Sequence, residues 1–359
     1  MVAALLRAAE KGDSRRIVGL LSGTAEWPGY DHQGTEVDFW EWRYIHNPIG
    51  FTNEVIAVTD DKVLSHAASL PTELRIHQRV RLCAQLSDLF TDPESRGQKL
   101  MESAMSAIQA RDIESGIEME FAFPSPAGYD LTLKAGFVDM PVRMGHYELI
   151  TNPDQFFNSV KFGTLKKMAY EGMRLVKGFK GKDIEEVDVQ EVSVFPEDIT
   201  TLTNEFEKSF DLVFHRDEKY LRWRYERPVS GLFKIIVSRK NGAISGYAVL
   251  RPYLVSGQRY MDLVDLVAMI DDRASLSALI DRSVEMCHQV KANILQFWLP
   301  TDHPYLPELG RLGFLLRQPA PGERRMSLVC RQLTSDPLLK EQMAGDLRYH
   351  LVLGDSDWV

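Results

Sequence analysis

The stretch FTDPESRGQKLM, Phe90 to Met101, is where this 359-residue sequence comes closest to a chemical site. It reads as the end of a strand, a tight turn on Arg96–Gly97, and a helix with no acidic residue before Glu102. A helix N-terminus carries unpaired N–H groups and a partial positive charge, so a pyrophosphate placed there accepts several hydrogen bonds at once. Gly97 lets the backbone come close to such a ligand. Lys99 stands where loops of this kind usually carry a second glycine, and its ammonium can add a charge contact to a phosphate.

The elements that position this turn are repeated. Trp42-Arg43-Tyr44 recurs 181 residues on, as Trp223-Arg224-Tyr225. Pro48 and Pro228, Asp88-Leu89 and Asp265-Leu266, Phe123-Pro124 and Leu299-Pro300, and Gly136-Phe137 and Gly313-Phe314 follow at offsets of 180, 177, 176 and 177. Landmarks kept in order with so little drift indicate two copies of one fold. Each copy runs hairpin, strand, helix, strand, short helix. NEVIAVTDDKVLSHAASLP predicts the first hairpin and FKIIVSRKNGAISGYAVL the second, closed by Asn241-Gly242. Leu100, Met101, Ala104, Met105 and Ile108 share one face of a helix predicted over 95–111. The fold class is therefore α+β, two tandem domains, each a mixed, mostly antiparallel sheet flanked by helices. In the second copy the turn reads MIDDRASLSALI. It has no glycine and places Asp271 and Asp272 where a phosphate would sit, so the cradle is expected in the first copy alone.

The division expected is an N-terminal domain over 1–150, a connecting segment over 151–190 and a C-terminal domain over 191–359. Within the connection, Lys161 to Lys182 holds seven Lys/Arg and one acid, and Asp183 to Asp198 holds seven acids and no base. This reads as a solvated helix ahead of a new domain. A net charge of −9 offers no excess to offset nucleic-acid phosphates. Three cysteines, Cys83, Cys287 and Cys330, lack metal-like spacing; buried reduced thiols and a cytoplasmic location follow, with no metal. The apolar run Val2 to Leu6 is too short for a membrane span or a signal-peptide core, so no membrane attachment is expected and a short amphipathic helix is. The tail Asp346 to Val359 reads as a surface strand end.

Strand, TDPESRG, amphipathic helix, strand and FPSPAGYDLTLKAGF together resemble the acetyl-coenzyme A binding core of the GNAT acyltransferase superfamily. The doubled WRY arrangement resembles its tandem members. The resemblance spans about Asp38 to Phe314. The family loop Q/R-x-x-G-x-G/A falls on Glu94, Ser95, Arg96, Gly97, Gln98 and Lys99, matching at Gly97 and departing at Glu94 and Lys99. Its downstream pattern, Asn then Leu-Tyr-x-Lys-x-Gly-Phe, falls on Ser125, Leu131, Thr132, Lys134, Gly136 and Phe137. Thr132 thus replaces the tyrosine that often protonates the leaving thiolate, and Tyr129, three residues earlier on the same helical face, can stand in for it.

The resemblance implies cofactor contacts from Leu89, Phe90, Thr91, Arg96, Gly97, Gln98, Lys99 and Ser125, with acetyl-coenzyme A or another acyl-coenzyme A as co-substrate. It implies direct transfer to a primary amine of a small molecule or amino sugar, which needs a base. Asp88 and Glu120 lie on adjacent predicted strands. Asp88 has a twin in Asp265 and so reads as a structural acceptor; Glu120 has none and is preferred, with His66 third. The repeated Trp-Arg-Tyr reads as packing. Two other functions stay open: a non-catalytic binding or scaffold protein with a decayed core, and a peptidoglycan-bridge aminoacyl transferase.

Overall fold

The computed structural model describes residues 4–24, 27–60, 62–158, 168, 187–255, 257–318 and 326–357. The basic stretch Lys161 to Lys182 lies outside the described residues, apart from Met168.

Among the described residues, sixteen strands form two sheets. The first contains β1 (Leu5–Ala8), β2 (Asn53–Val58), β3 (Val63–Ile76), β4 (Arg79–Thr91), β5 (Met119–Ala122) and β6 (Val138–Asp139). The second contains β7 (Met144–Ile150), β8 (Asp188–Val192), β10 (Lys234–Lys240), β11 (Ala243–Val255), β12 (Gln258–Ala268), β13 (Ile294–Pro300) and β14 (Leu315–Leu316). β9 (Leu212–Phe214), β15 (Val329–Gln332) and β16 (Tyr349–His350) come from the C-terminal half yet belong to the first sheet. The spatial orders are β1-β2-β3-β4-β5-β15-β6 and β14-β7-β13-β12-β11-β10-β8, with β9 added to the end of β3 and β16 to β9. The halves have thus exchanged strands. β15 fills the place between β5 and β6, and β7 fills the place between β13 and β14. In each sheet one central pair is parallel, β4 with β5 and β12 with β13.

The helices used below are α1 (Ser14–Thr24), α2 (Glu36–Trp40, continued by a π-helical turn over Glu41–Ile45), α3 (Leu100–Glu114), α4 (Pro126–Lys134), α5 (Glu218–Tyr225), α6 (Arg273–Val290) and α7 (Leu306–Arg311). α3 lays Met101, Ala104, Met105 and Ile108 on Val55, Ala67, Leu86 and Ala122. Burying each of the larger side chains is worth about 1.5–3 kcal/mol. The hairpin turn at Asn241-Gly242 has positive φ at both residues, as a two-residue turn joining twisted strands requires.

Trp42 and Trp223 mark the pseudo-two-fold axis. Their rings stack with centroids 5.0 Å apart. Each indole N–H donates to the other residue's carbonyl, at 2.9 and 3.1 Å. The repeat is therefore a packing device at the junction of the halves.

Two expectations are corrected. Leu5–Ala8 is a strand: it pairs antiparallel with Val55–Val58, and those ladder bonds outweigh the helical pattern. The tail is buried, not superficial. Leu351 to Ser356 are all nearly sealed from solvent, and Asp355 meets Arg216 at 2.6 Å. No helix among the described residues is long and apolar enough to cross a membrane.

Candidate active site

The parallel ladder of β4 and β5 pairs Cys83 with Met119, Ala84 with Glu120 and Gln85 with Phe121, then stops. β4 continues to Thr91 along β3 while β5 turns to β15, so the two strands splay apart. Leu89, Phe90 and Thr91 lie half-buried on this diverging limb.

Beyond the splay the chain turns into α3. Asp92 is engaged: its carboxylate accepts the Glu94 N–H at 3.0 Å and meets Lys62 at 2.9 Å. Gly97 (φ +80°) and Lys99 (φ +58°) both hold left-handed backbone, which keeps 96–99 out of the helix and delays its start to Leu100. Arg96, Gly97, Gln98 and Lys99 are exposed. Lys99 is the N-cap of α3 and makes no side-chain cap, so among the described residues the first amides lack a capping side chain.

The second half has the opposite arrangement. Asp272 caps α6, its carboxylate accepting the Ser275 N–H at 3.1 Å and the Ser275 hydroxyl at 2.8 Å. Lys240 approaches the same carboxylate at 3.2 Å. The anion at that helix end is supplied by the chain itself.

At the splay β4 bulges. Ser65 faces Thr91 and His66 faces Phe90, but the register resumes at Ala68 facing Ser87. Asp88, inside the bulge, has φ +51°. Its carboxylate accepts the Trp27 indole N–H at 3.0 Å and the Tyr44 hydroxyl. His66, fully buried, donates from Nδ1 to the Asp88 carbonyl at 2.8 Å and from Nε2 to Glu54 at 3.1 Å. Burial alone would lower the His66 pKa; the Glu54 carboxylate reverses this and raises it above its ordinary value. The twin, Asp265, is completely buried and ion-paired with Arg216 at 3.1 Å, with Tyr247 at 3.0 Å and Tyr225 at 3.3 Å also donating to it. Asp88 remains half-exposed, and among the described residues no ion pair neutralises it as Arg216 does Asp265.

Glu120 is not brought to this opening. It is sealed on the α3 side of the sheet, where Arg331 of the exchanged β15 binds it at 2.5 Å. Burial pushes its carboxyl up to about 8 against the pull of Arg331, with Asp112 adding to the rise. Ser125 serves as the N-cap of α4, accepting the Gly128 N–H at 3.2 Å. Thr132 is buried and donates its hydroxyl to the Tyr129 carbonyl at 2.8 Å. Tyr129 is half-buried against the α3 core cluster, to which Leu89 also packs.

Other groups at the site escape sequence reasoning. Trp27 and Tyr44 hold the Asp88 carboxylate. Arg43 is buried among Tyr44, Asp88, Asp357 and Tyr30. Asp357 comes from the tail; burial and the Asp88 charge push its carboxyl up to about 6 against the Arg43 guanidinium. Tyr44 was legible only as part of a packing repeat, and nothing in the local sequence marks the tail as buried. Beside Arg43, a cavity of about 30 Å³ lies between Gln85, Thr72, Phe214 and Trp223, room for a water or two.

Residues 6–137 match the acetyltransferase (GNAT) domain family. No curated protein matches the sequence. Among solved structures, a GCN5-related N-acetyltransferase from Anabaena variabilis superposes with TM-score 0.65 at 12% identity, covering 92% of this chain and 73% of that one. A probable N-acyltransferase from Enterococcus faecalis gives 0.62 at 12% identity, with 92% and 73% covered. Saccharomyces cerevisiae N-myristoyltransferase with bound myristoyl-CoA gives 0.58 at 11% identity, with 92% and 78% covered. At these identities the likeness is one of fold.

Proposed function

We propose that this chain, whose residues 6–137 match the acetyltransferase (GNAT) domain family, is an acyltransferase that transfers an acetyl group from acetyl-coenzyme A to the primary amine of a small molecule. We take 1–150 and 191–359 as its two sequence units and the first as the one that binds the co-substrate. The observation that carries this reading is the contrast between the two helix ends. α3 begins uncapped behind Gly97, with Arg96 and Lys99 exposed around it, whereas α6 is closed by Asp272. A pyrophosphate fits the first and is repelled by the second. Three buried thiols suit a reducing, cytoplasmic location.

The chemistry then follows from the bulge. Asp88, at the splay, accepts a proton from the incoming ammonium, directly or through water. The freed amine attacks the thioester carbonyl, whose oxygen is polarised by backbone N–H groups of the diverging β4 limb near Leu89 and Thr91. As the carbon–sulfur bond breaks, Tyr129 is the donor nearest in sequence pattern to protonate the thiolate. Trp27 and Tyr44 fix the Asp88 carboxylate in place. Glu120, locked to Arg331, is left as a structural ion pair. Thermal-shift titration with acetyl-coenzyme A and coupled detection of free coenzyme A test the reading. A native-state ligand raises stability by RT ln(1 + [L]/Kd). The absence of any shift at millimolar acetyl-coenzyme A would sink it and favour a non-catalytic scaffold.

A further inference from the structure

Two buried ionisable residues have no part in the chemistry above. His66 of β3 and Glu54 of β2 are sealed from solvent and bonded to each other at 3.1 Å. Taking two charges out of water costs several kcal/mol for each, and their mutual attraction often does no more than offset it. Packing does not require them. At the WRY offset of 181, Ile235 stands for Glu54 and Tyr247 for His66. The hairpin pairings agree: Ala68 faces Glu54 where Val249 faces Ile235, and Ile56 faces His66 where Val237 faces Tyr247. Both replacements are buried and uncharged.

What His66 holds is backbone. In the first sheet the bulge falls between His66 and Ala68, setting Asp88 and Leu89 against Ala67, and Asp88 takes φ +51°. In the second sheet the bulge falls between Val249 and Leu250; Asp265 stays in register with Val249 and does not share the positive φ. There Tyr247 donates to the Asp265 carboxylate at 3.0 Å, whereas His66 donates to the Asp88 carbonyl at 2.8 Å. That carbonyl belongs to the same planar peptide group as the Leu89 N–H, and in a trans peptide the two point in opposite directions. Fixing one therefore aims the other, and pulling electron density toward the carbonyl oxygen makes the N–H a stronger donor. Both ring nitrogens of His66 face oxygen acceptors, so the ring carries two protons while Glu54 is ionised. A charge-assisted bond of this kind is roughly twice as strong as a neutral one.

We propose that His66 is a positioning residue for acyl transfer: its imidazolium, held by Glu54, aims and polarises the 88–89 peptide group so that the Leu89 N–H stabilises the oxyanion formed from the thioester carbonyl. The inference rests on the acyltransferase reading and deepens it, by assigning one β4 amide and the side chains that support it. The corresponding positions of the second half hold neither the imidazole nor the left-handed residue. Among the described residues, the ionisable groups facing the imidazole are Glu54 from β2, Asp88 from β4 and Tyr44 from the π-helical turn, whose ring centroid lies 6.2 Å away. Burial opposes the charge and Glu54 sustains it, so the imidazolium is present below its raised pKa and lost as pH rises through that value. Glu54→Gln removes the opposing charge and moves the loss to lower pH.

The probe is acetyl-coenzyme A isotope-labelled at the thioester carbonyl, read by infrared difference spectroscopy alongside calorimetric binding; no acceptor is needed. Bound to the wild type, the carbonyl stretch should lie below its frequency in solution. His66→Gln keeps a donor but no charge, and should lose most of that displacement while the acetyl-coenzyme A Kd stays within about threefold. In the wild type the displacement should fade as pH rises, and in Glu54→Gln it should fade at lower pH. Where His66→Gln does not fold, the Glu54→Gln titration decides. A merely structural histidine would lower the melting temperature and leave the bound carbonyl frequency where it was. A displacement absent from the wild type, unaltered in folded His66→Gln, or lost at the same pH in Glu54→Gln as in the wild type overturns the proposal. Failure of the wild type to bind acetyl-coenzyme A sinks the acyltransferase reading and this inference with it; binding with a frequency that ignores His66 and Glu54 sinks the inference alone.

Discussion

Lys99→Asp gives the first half the acid that closes the second. The structure sets its two effects in opposite directions. Lys99 sits at the N-cap with φ +58°, a conformation that aspartate adopts more readily than lysine. An aspartate there can cap α3 as Asp272 caps α6, so the free protein should be as stable as before or up to about 1 kcal/mol more so. The ligand sees the reverse. Replacing a cation by an anion about 5 Å from a doubly charged pyrophosphate changes four unit-charge interactions, each about 0.8 kcal/mol in water. Screening at ordinary salt roughly halves the total, to about 1.6 kcal/mol, a loss of roughly tenfold to thirtyfold in affinity. At a ligand concentration of about 100 times the wild-type Kd, the stabilisation falls from about 2.7 to about 1.2 kcal/mol. Calorimetry gives the affinity and thermal unfolding without ligand gives the stability. An unchanged acetyl-coenzyme A Kd would refute the assignment of the cradle. A melting temperature several degrees lower would mean that the lysine shapes the loop and its charge is incidental.

Asp88→Asn should lower kcat by about a hundredfold or more and flatten the pH–rate profile while acetyl-coenzyme A binding persists; retained turnover removes Asp88 as the base. Asp265→Asn should act on stability instead, by about 3–5 kcal/mol in denaturant unfolding, because it weakens the partner of the fully buried Arg216. Trp42→Ala and Trp223→Ala should each cost about 3–5 kcal/mol, and the double variant much less than the sum, since each indole bonds the other's backbone. His66, whose folded pKa is raised, contributes stability fully present below its unfolded value near 6.5 and lost as pH rises through the folded pKa. Amide exchange around the Asp88 bulge should accelerate over that alkaline window, and His66→Gln should abolish the pH dependence.

The repeat made the architecture legible, because both copies carry turn and core residues at matching positions, and those residues decide local structure. It also made the contrast between the two helix starts legible, since Gly97 and Asp272 act through their own backbone neighbourhoods. What stayed hidden depends on distant partners. Glu120 looked distinctive because its counterpart is not acidic, yet its real counterpart is Arg331, more than two hundred residues away on an exchanged strand. Asp88 looked structural by analogy with Asp265, but the analogy ends at Arg216, which neutralises only the second. β7 and β15 are short, and nothing local states which sheet lacks a neighbour. The segment Leu5–Ala8 has a helical pattern but lies beside an open edge, which decided its fate.

The exchange of strands has a consequence for synthesis on the ribosome. β6 ends at Asp139 and the strand that must sit beside it ends at Gln332, 193 residues later. At about 5–20 residues per second, the first sheet waits roughly 10–40 s with β5 and β6 apart and both inner edges bare. Unpaired edges template association with other chains. The nascent first half therefore has a long aggregation-prone interval built into its topology, and slowing translation before residue 329 should lengthen it and lower the soluble yield.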